Sequence, residues 1–296
     1  MTAKALVAFA TLTGLVWVTA TGPAATQHTS VPDFFSNFAG WVANTEGYEA
    51  VEGMPGPVTG DPAHPYYSNA TARRLGVSSN YRVADLTNPN VKPWANEIMK
   101  RENEKVLGGG IGFTARSSCM PAGVPTFAVF AAVQPIYFVQ TPKQVTMIFE
   151  GDAQIRRVYM DVLHSADPKP SWYGESVGHY EGGDTLVIDT IGLNNKTFLD
   201  NYRTPHTEKL HVVERWKLLD SKTLELVFTV DDPDTFVKPW TAVFRFHRVQ
   251  RSERPYEEVR KQRSVRVSCA GGAEAGFLSF QGADAPLCRA TQLENR

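Results

Sequence analysis

Four of the chain's seven histidines, His164, His179, His206 and His211, fall in one stretch that also carries Tyr159, Glu181 and Asp200. Imidazole titrates nearest neutral pH, and a carboxylate beside it can orient the ring, so this grouping suits general acid–base chemistry. His179 and Glu181 lie two apart in GHYEG and share one face of a strand. In LHVVERW the faces are His211, Val213 and Arg215 against Val212, Glu214 and Trp216. With His179 and His211 turned into a common cavity they form an acid–base pair, Glu181 orients one ring, and Tyr159 and His164 assist. Trp172 and Tyr173 then form an aromatic wall, and Asp200 and His206, from the loop FLDNYRTPHTEK, sit at its rim as binding residues.

Plainer roles stand beside these. A strand histidine is more often a satisfied structural residue. His206, in a Pro-His-Thr-Glu turn, can simply tie its loop to the sheet. Trp172, Trp216 and Trp240 read as core before ligand platform. Glu214-Arg215 reads as a surface ion pair.

The same residue types could bind zinc or iron. The sequence holds no HxH, no HExxH and no close carboxylate triad, so the expected chemistry uses neither cofactor nor metal. Gly174-Glu-Ser176-Val-Gly178 spells a nucleophile elbow, but that device needs a strand turning into a helix, and here the serine opens a strand. GGGIG at 108–112 follows a helix and reads as its stop, not as a phosphate loop.

The element that must position these groups is a sheet. From Pro125 onward, β-branched and aromatic runs at 135–140, 144–150, 154–160, 175–181, 184–190, 210–219, 223–230, 240–248 and 263–269 alternate with turn residues. Short turns such as GGD at 182–184 leave no room for crossover helices and predict an antiparallel meander. So many short strands would leave a long edge unless the sheet closes. The expected fold is mainly β, a lipocalin-like or related small-ligand barrel with N-terminal helices packed outside. One helix is expected over 31–50, where Phe34, Phe38 and Trp41 recur at helical spacing, and a second over 93–107, with Pro near its start and GGG after it.

A length of 296 residues, 42% hydrophobic, suits one large β-rich domain with appended segments. A net charge of -1 provides no field for a phosphate backbone, so nucleic acid is not an expected partner. Lys4 followed by the apolar run Ala5 to Ala20 and small-x-small patterns reads as a cleaved secretory signal, giving a periplasmic or secreted protein with no membrane contact after cleavage. The division is a signal peptide at 1–25, a helical and loop wrap at 26–110, a barrel at 111–270, and a tail at 271–296 read as disordered or a neutral extension. Export makes disulfides accessible. Three cysteines allow at most one internal pair, and Cys119–Cys269 is favoured because both flank the sheet core.

The segment SWYGESVGHYEGGDTLVIDTIGLNNKTFLDNYRTPHTEKLHVVERWKLLD resembles a widespread family of exported bacterial hypothetical proteins. Their shared patterns are W-x-G-x-S-x-G-x-[WY]-E-G-D-T-L-V-x-D-T and P-H-[ST]-x-x-L-H-x-x-E-R. VKPWANEIMKREN and SSCMPAGVP extend the similarity from about Val91 to Cys269. The resemblance implies export and no particular activity. An extra glycine in EGGDT and the longer tail depart from it. The functional expectation is an exported, cofactor-independent lyase or isomerase performing elimination, isomerisation or hydration on a small apolar or aromatic molecule. The alternatives are a non-catalytic periplasmic binding protein for a hydrophobic ligand, and a structural protein whose polar residues knit loops.

Overall fold

The computed structural model describes residues 31–36, 39–45, 47–76, 81–113, 115, 118–129, 134–150, 153–250, 266–269 and 288–291. The expected signal peptide and most of the expected tail lie outside the described residues.

Nine strands close a barrel: β1 (Ala39–Ala43), β3 (Ile136–Gln140), β4 (Gln144–Phe149), β5 (Gln154–Met160), β6 (Glu175–Glu181), β7 (Thr185–Ile191), β8 (His211–Leu218), β9 (Thr223–Asp231) and β10 (Trp240–Gln250), which pairs back onto β1. A two-residue strand β2 (Glu49–Ala50) adds to β10. The mainly-β barrel expected from strand spacing is therefore the fold. Among the described residues three helices accompany it: α1 (Asn69–Leu75), α2 (Pro93–Leu107) and α3 (Thr126–Val129). α2 has its expected bounds, with Pro in the first turn and Gly108 at its end.

Four expectations are corrected. The described part of the 31–50 segment is not an α-helix. Its core is β1, which pairs with β10 and β3 and so closes the barrel. Pairing of two open edges outweighs the helical spacing of its aromatics. Gly40 is required there, because a Cβ at that position would lie 2.6 Å from Pro135. Second, the sheet is mixed, since β5 and β6 are parallel. Residues 161–174 therefore run back along the wall as a strap, from one end of the barrel to the other. Third, the described part of the 263–269 run supplies no barrel strand. That part, β11 (Arg266–Cys269), pairs among the described residues with β12 (Cys288–Thr291). Cys119 is an exposed free thiol, so the Cys119–Cys269 pairing is not formed.

The barrel interior is filled. Alternate residues point inward, including Trp41, Phe138, Met147, Ile188, Trp216, Leu226, Phe228 and Phe244, and all are fully buried in one cluster. A barrel of about eight strands has an interior just wide enough for side chains to fill, and bulky aromatics occupy this one. Within that apolar packing lies one polar knot. Arg156 of β5 makes a bidentate ion pair with Glu214 of β8 and donates to Thr190 at 2.9 Å and Ser176 at 3.2 Å. Arg156 and Glu214 are each 1% exposed. Ser176 therefore sits in mid-strand inside the barrel, and Gly174-Glu-Ser-Val-Gly178 forms no nucleophile elbow. Gly174 is needed for the backbone: φ is +63°, and a Cβ would meet the Ile191 carbonyl at 2.3 Å.

Candidate functional site

The β7–β8 loop, residues 192–210, meets α2 where the Thr204 hydroxyl reaches Met99 and α3 where the Thr126 hydroxyl donates to the Phe198 carbonyl. The loop is tied by its own carboxylate. Asp200 accepts from the Tyr202 amide at 2.8 Å, the Thr204 amide at 3.2 Å and the Thr204 hydroxyl at 2.7 Å. Burial raises the Asp200 pKa against those hydrogen bonds. A second carboxylate, Asp232 at the end of β9, accepts from the Thr207 amide at 2.6 Å and hydroxyl at 2.9 Å, and from the Thr235 hydroxyl at 2.8 Å. These ties fix the backbone on either side of His206.

His206 is 3% exposed. Its Nδ1 lies 3.0 Å from the Thr207 carbonyl, which can only accept, so Nδ1 carries the proton. Nε2 is then an acceptor, and the Thr197 hydroxyl, 2.9 Å away, donates to it. Burial pushes the His206 pKa below its usual 6.5, so the ring is held neutral. Thr197 and His206 form part of the wall of a groove of about 470 Å³. Trp94 and Ile98 of α2 form a facing side, with Phe198 and Pro205 alongside. The Trp94 indole N–H donates to the Asp234 carbonyl at 2.8 Å, which fixes that ring. An apolar groove of several hundred Å³ with a few convergent polar groups has the form of a small-molecule site.

The other expected site residues lie elsewhere. His179 and His211 were expected to face a shared interior, but both stand on the outer face. The barrel interior is spent on packing, and the parity that turns Val212, Glu214 and Trp216 inward turns His211 outward. His179 shares a row with Val187 and Arg215, four residues from His211 along the strand, which is roughly 13 Å. His179 bonds to Glu181 at 2.9 Å, and Glu181 pairs with Arg215. The Arg215 hydrogen bond, then that of His179, brings the Glu181 pKa down to about 2. Tyr159 is 47% exposed on the outer wall.

His164 and His211 do meet, through a residue the sequence reading did not single out. His164 Nε2 and His211 Nε2 approach the same Asp189 oxygen at 3.0 and 2.8 Å. His164 Nδ1 lies 3.0 Å from Glu175. This imidazole–carboxylate array holds the strap to the outer face of β6, β7 and β8. Ser165 donates to Glu175 by its hydroxyl and its amide, which lowers that carboxyl's pKa.

Of the expected binding residues, Tyr173 packs edge-on to Phe127 and bonds to Gln154, beneath α3. Trp172 is half-buried, with the Lys196 ammonium 6.0 Å from its ring centre. Asp200 borders two voids of about 20 and 10 Å³, room for no more than a water. His206 alone of the nine reaches the groove. Thr197, Trp94, Ile98 and Lys196 were missed. NNKTFLD carries no motif, and Trp94 and Ile98 signal themselves only as neighbours on one face of α2. Among the described residues, no three His, Cys, Asp or Glu side chains converge to hold a metal ion. Trp216 and Trp240 are core, at 0% and 1% exposure.

Compared with family models, curated proteins and solved structures, the chain matches none of them. The functional reading rests on the geometry above.

Proposed function

We propose that the protein is an exported lyase or isomerase that moves a proton on a small apolar or aromatic molecule held in the α2 groove. The observation that carries this is the Thr197–His206 pair, a neutral imidazole of fixed tautomer accepting a hydroxyl proton at the wall of an apolar groove. Acid–base catalysis needs a group within hydrogen-bond reach and in the right protonation state at working pH. His206 lines the groove as a neutral ring, and Thr197, bonded to it and lining the same groove, serves as a proton relay. As a substrate proton reaches Thr197 Oγ1, the hydroxyl's own proton passes to His206 Nε2. The reverse transfer returns a proton to another atom of the substrate or to a leaving hydroxide. Elimination, isomerisation and hydration all consist of such transfers and require no redox partner.

Support for export comes from the Ala5–Ala20 run and from the resemblance to exported bacterial hypothetical proteins.

The test is proton exchange in deuterated water, followed by NMR, on a panel of unsaturated and β-hydroxy carbonyl compounds bearing alkyl or phenyl groups. Exchange or hydration by the parent protein should fall at least about a hundredfold in His206→Gln and Thr197→Val, with ligand affinity kept. Unchanged turnover in both variants contradicts the proposal. Binding of panel members without turnover supports instead a carrier of hydrophobic ligands, a second reading that the groove's apolar walls favour.

A further inference from the structure

One side chain on the groove wall carries a formal charge, that of Lys196. Its ammonium rests at 6.0 Å from the Trp172 ring centre, and among the described residues no carboxylate pairs with it. Nearby lysines are occupied. Lys209 pairs with Asp234 at 2.9 Å, and the Lys92 ammonium bonds to the Pro233 carbonyl. An uncompensated cation beside an apolar wall complements a ligand with an anionic head and an apolar body. A single ammonium is a point charge without the fork or cluster of donors that phosphate recognition uses. Lys196 is also the chain neighbour of Thr197, and both line the groove, so the ligand atoms nearest the proton relay are those next to the head group.

We propose that the groove's ligand is a small amphiphilic carboxylate, its head at Lys196 and its alkyl or aryl body against Trp94, Ile98 and Phe198. This rests on the groove being the ligand site. Titration calorimetry of the full chain with sodium octanoate, 1-octanol and octyl phosphate separates the two claims. Octanoate should bind severalfold tighter than octanol, up to about fivefold, as expected for one partly exposed charge contact. Lys196→Gln should erase that preference without changing octanol binding, and Trp94→Ala should weaken both ligands. Lys196 is exposed, and an unchanged near-ultraviolet circular dichroism spectrum confirms that its variant is folded. Equal affinities for octanoate and octanol, a preference that survives Lys196→Gln, or tighter binding of octyl phosphate would overturn the carboxylate assignment while leaving the groove in place. No binding of any probe, or indifference to Trp94→Ala, would overturn the groove itself.

Discussion

Glu214 and Arg215 are neighbours in the chain and stand on opposite sides of the barrel wall. Glu214 turns inward to a bidentate pair with Arg156, both 1% exposed. Arg215 turns outward to Glu181, where both side chains are more than 40% exposed. Two ion pairs one residue apart therefore differ in energetic weight. Removing one partner of a buried pair strands a charge in an apolar interior, whereas an exposed pair is largely screened.

Glu214→Ala is expected to cost about 3–5 kcal/mol in urea unfolding. The double variant Arg156→Met with Glu214→Leu is expected to cost less than Glu214→Ala alone, because no charge is left unpaired. A loss below about 1 kcal/mol for Glu214→Ala would show that water reaches this end of the barrel.

Arg215→Ala is expected to cost roughly 0.2–1 kcal/mol. Its clearer signature is titration. The Glu181 carboxyl, held at about 2 against a usual 4.5, should move up when the guanidinium is removed. Because the folded pKa is the lower one, this pair's contribution is present above about pH 4.5 and is lost as the pH falls toward about 2. Carboxyl-detected NMR of both proteins reads the shift directly.

The strands were legible in the sequence because alternation is a local signal. Leu224, Leu226, Phe228 and Val230 face inward as their parity requires. The same parity grouped Glu214 with Val212 and Trp216, which was already the sign that Glu214 is buried. Arg156, in step with Val158 and Met160, sent the same sign. What local pattern did not show was pairing at a distance. β1 is a strand only because β3 and β10 offer it edges, and β5 and β6 are parallel only because the strap runs the length of the wall. The site followed that division. His206 was singled out from its turn, but the facing wall comes from α2, about a hundred residues earlier in the chain, and Thr197 sits in a loop without a motif.

His206 sets a pH dependence of stability. Burial holds its folded pKa below 6.5. Below about pH 6.5 the unfolded chain takes up a proton that the folded ring resists, so stability falls as the pH drops through that window and is unaffected above it. His206→Gln is expected to flatten the loss below about pH 6.5 in thermal melts. An identical slope in the variant would mean that the ring is not held neutral by burial.

Asp200 acts as a loop tie, with a pKa raised by burial. Asp200→Asn, which keeps an acceptor for the Tyr202 and Thr204 amides, is expected to change stability by less than about 1 kcal/mol. Asp200→Ala orphans those buried donors and is expected to cost about 1–3 kcal/mol. Similar losses in both would assign Asp200 a role that needs its charge.

The most direct measurement is long-range nitrogen–proton NMR of the histidine side chains, with His206 assigned through His206→Gln, during addition of sodium octanoate. The His206 ring should report a neutral Nδ1–H tautomer at pH 7, and its signals should move on addition while those of His164, His179 and His211 stay in place. Movement at His179 or His211 with His206 unchanged would contradict the account and return the chemistry to the outer wall of the barrel.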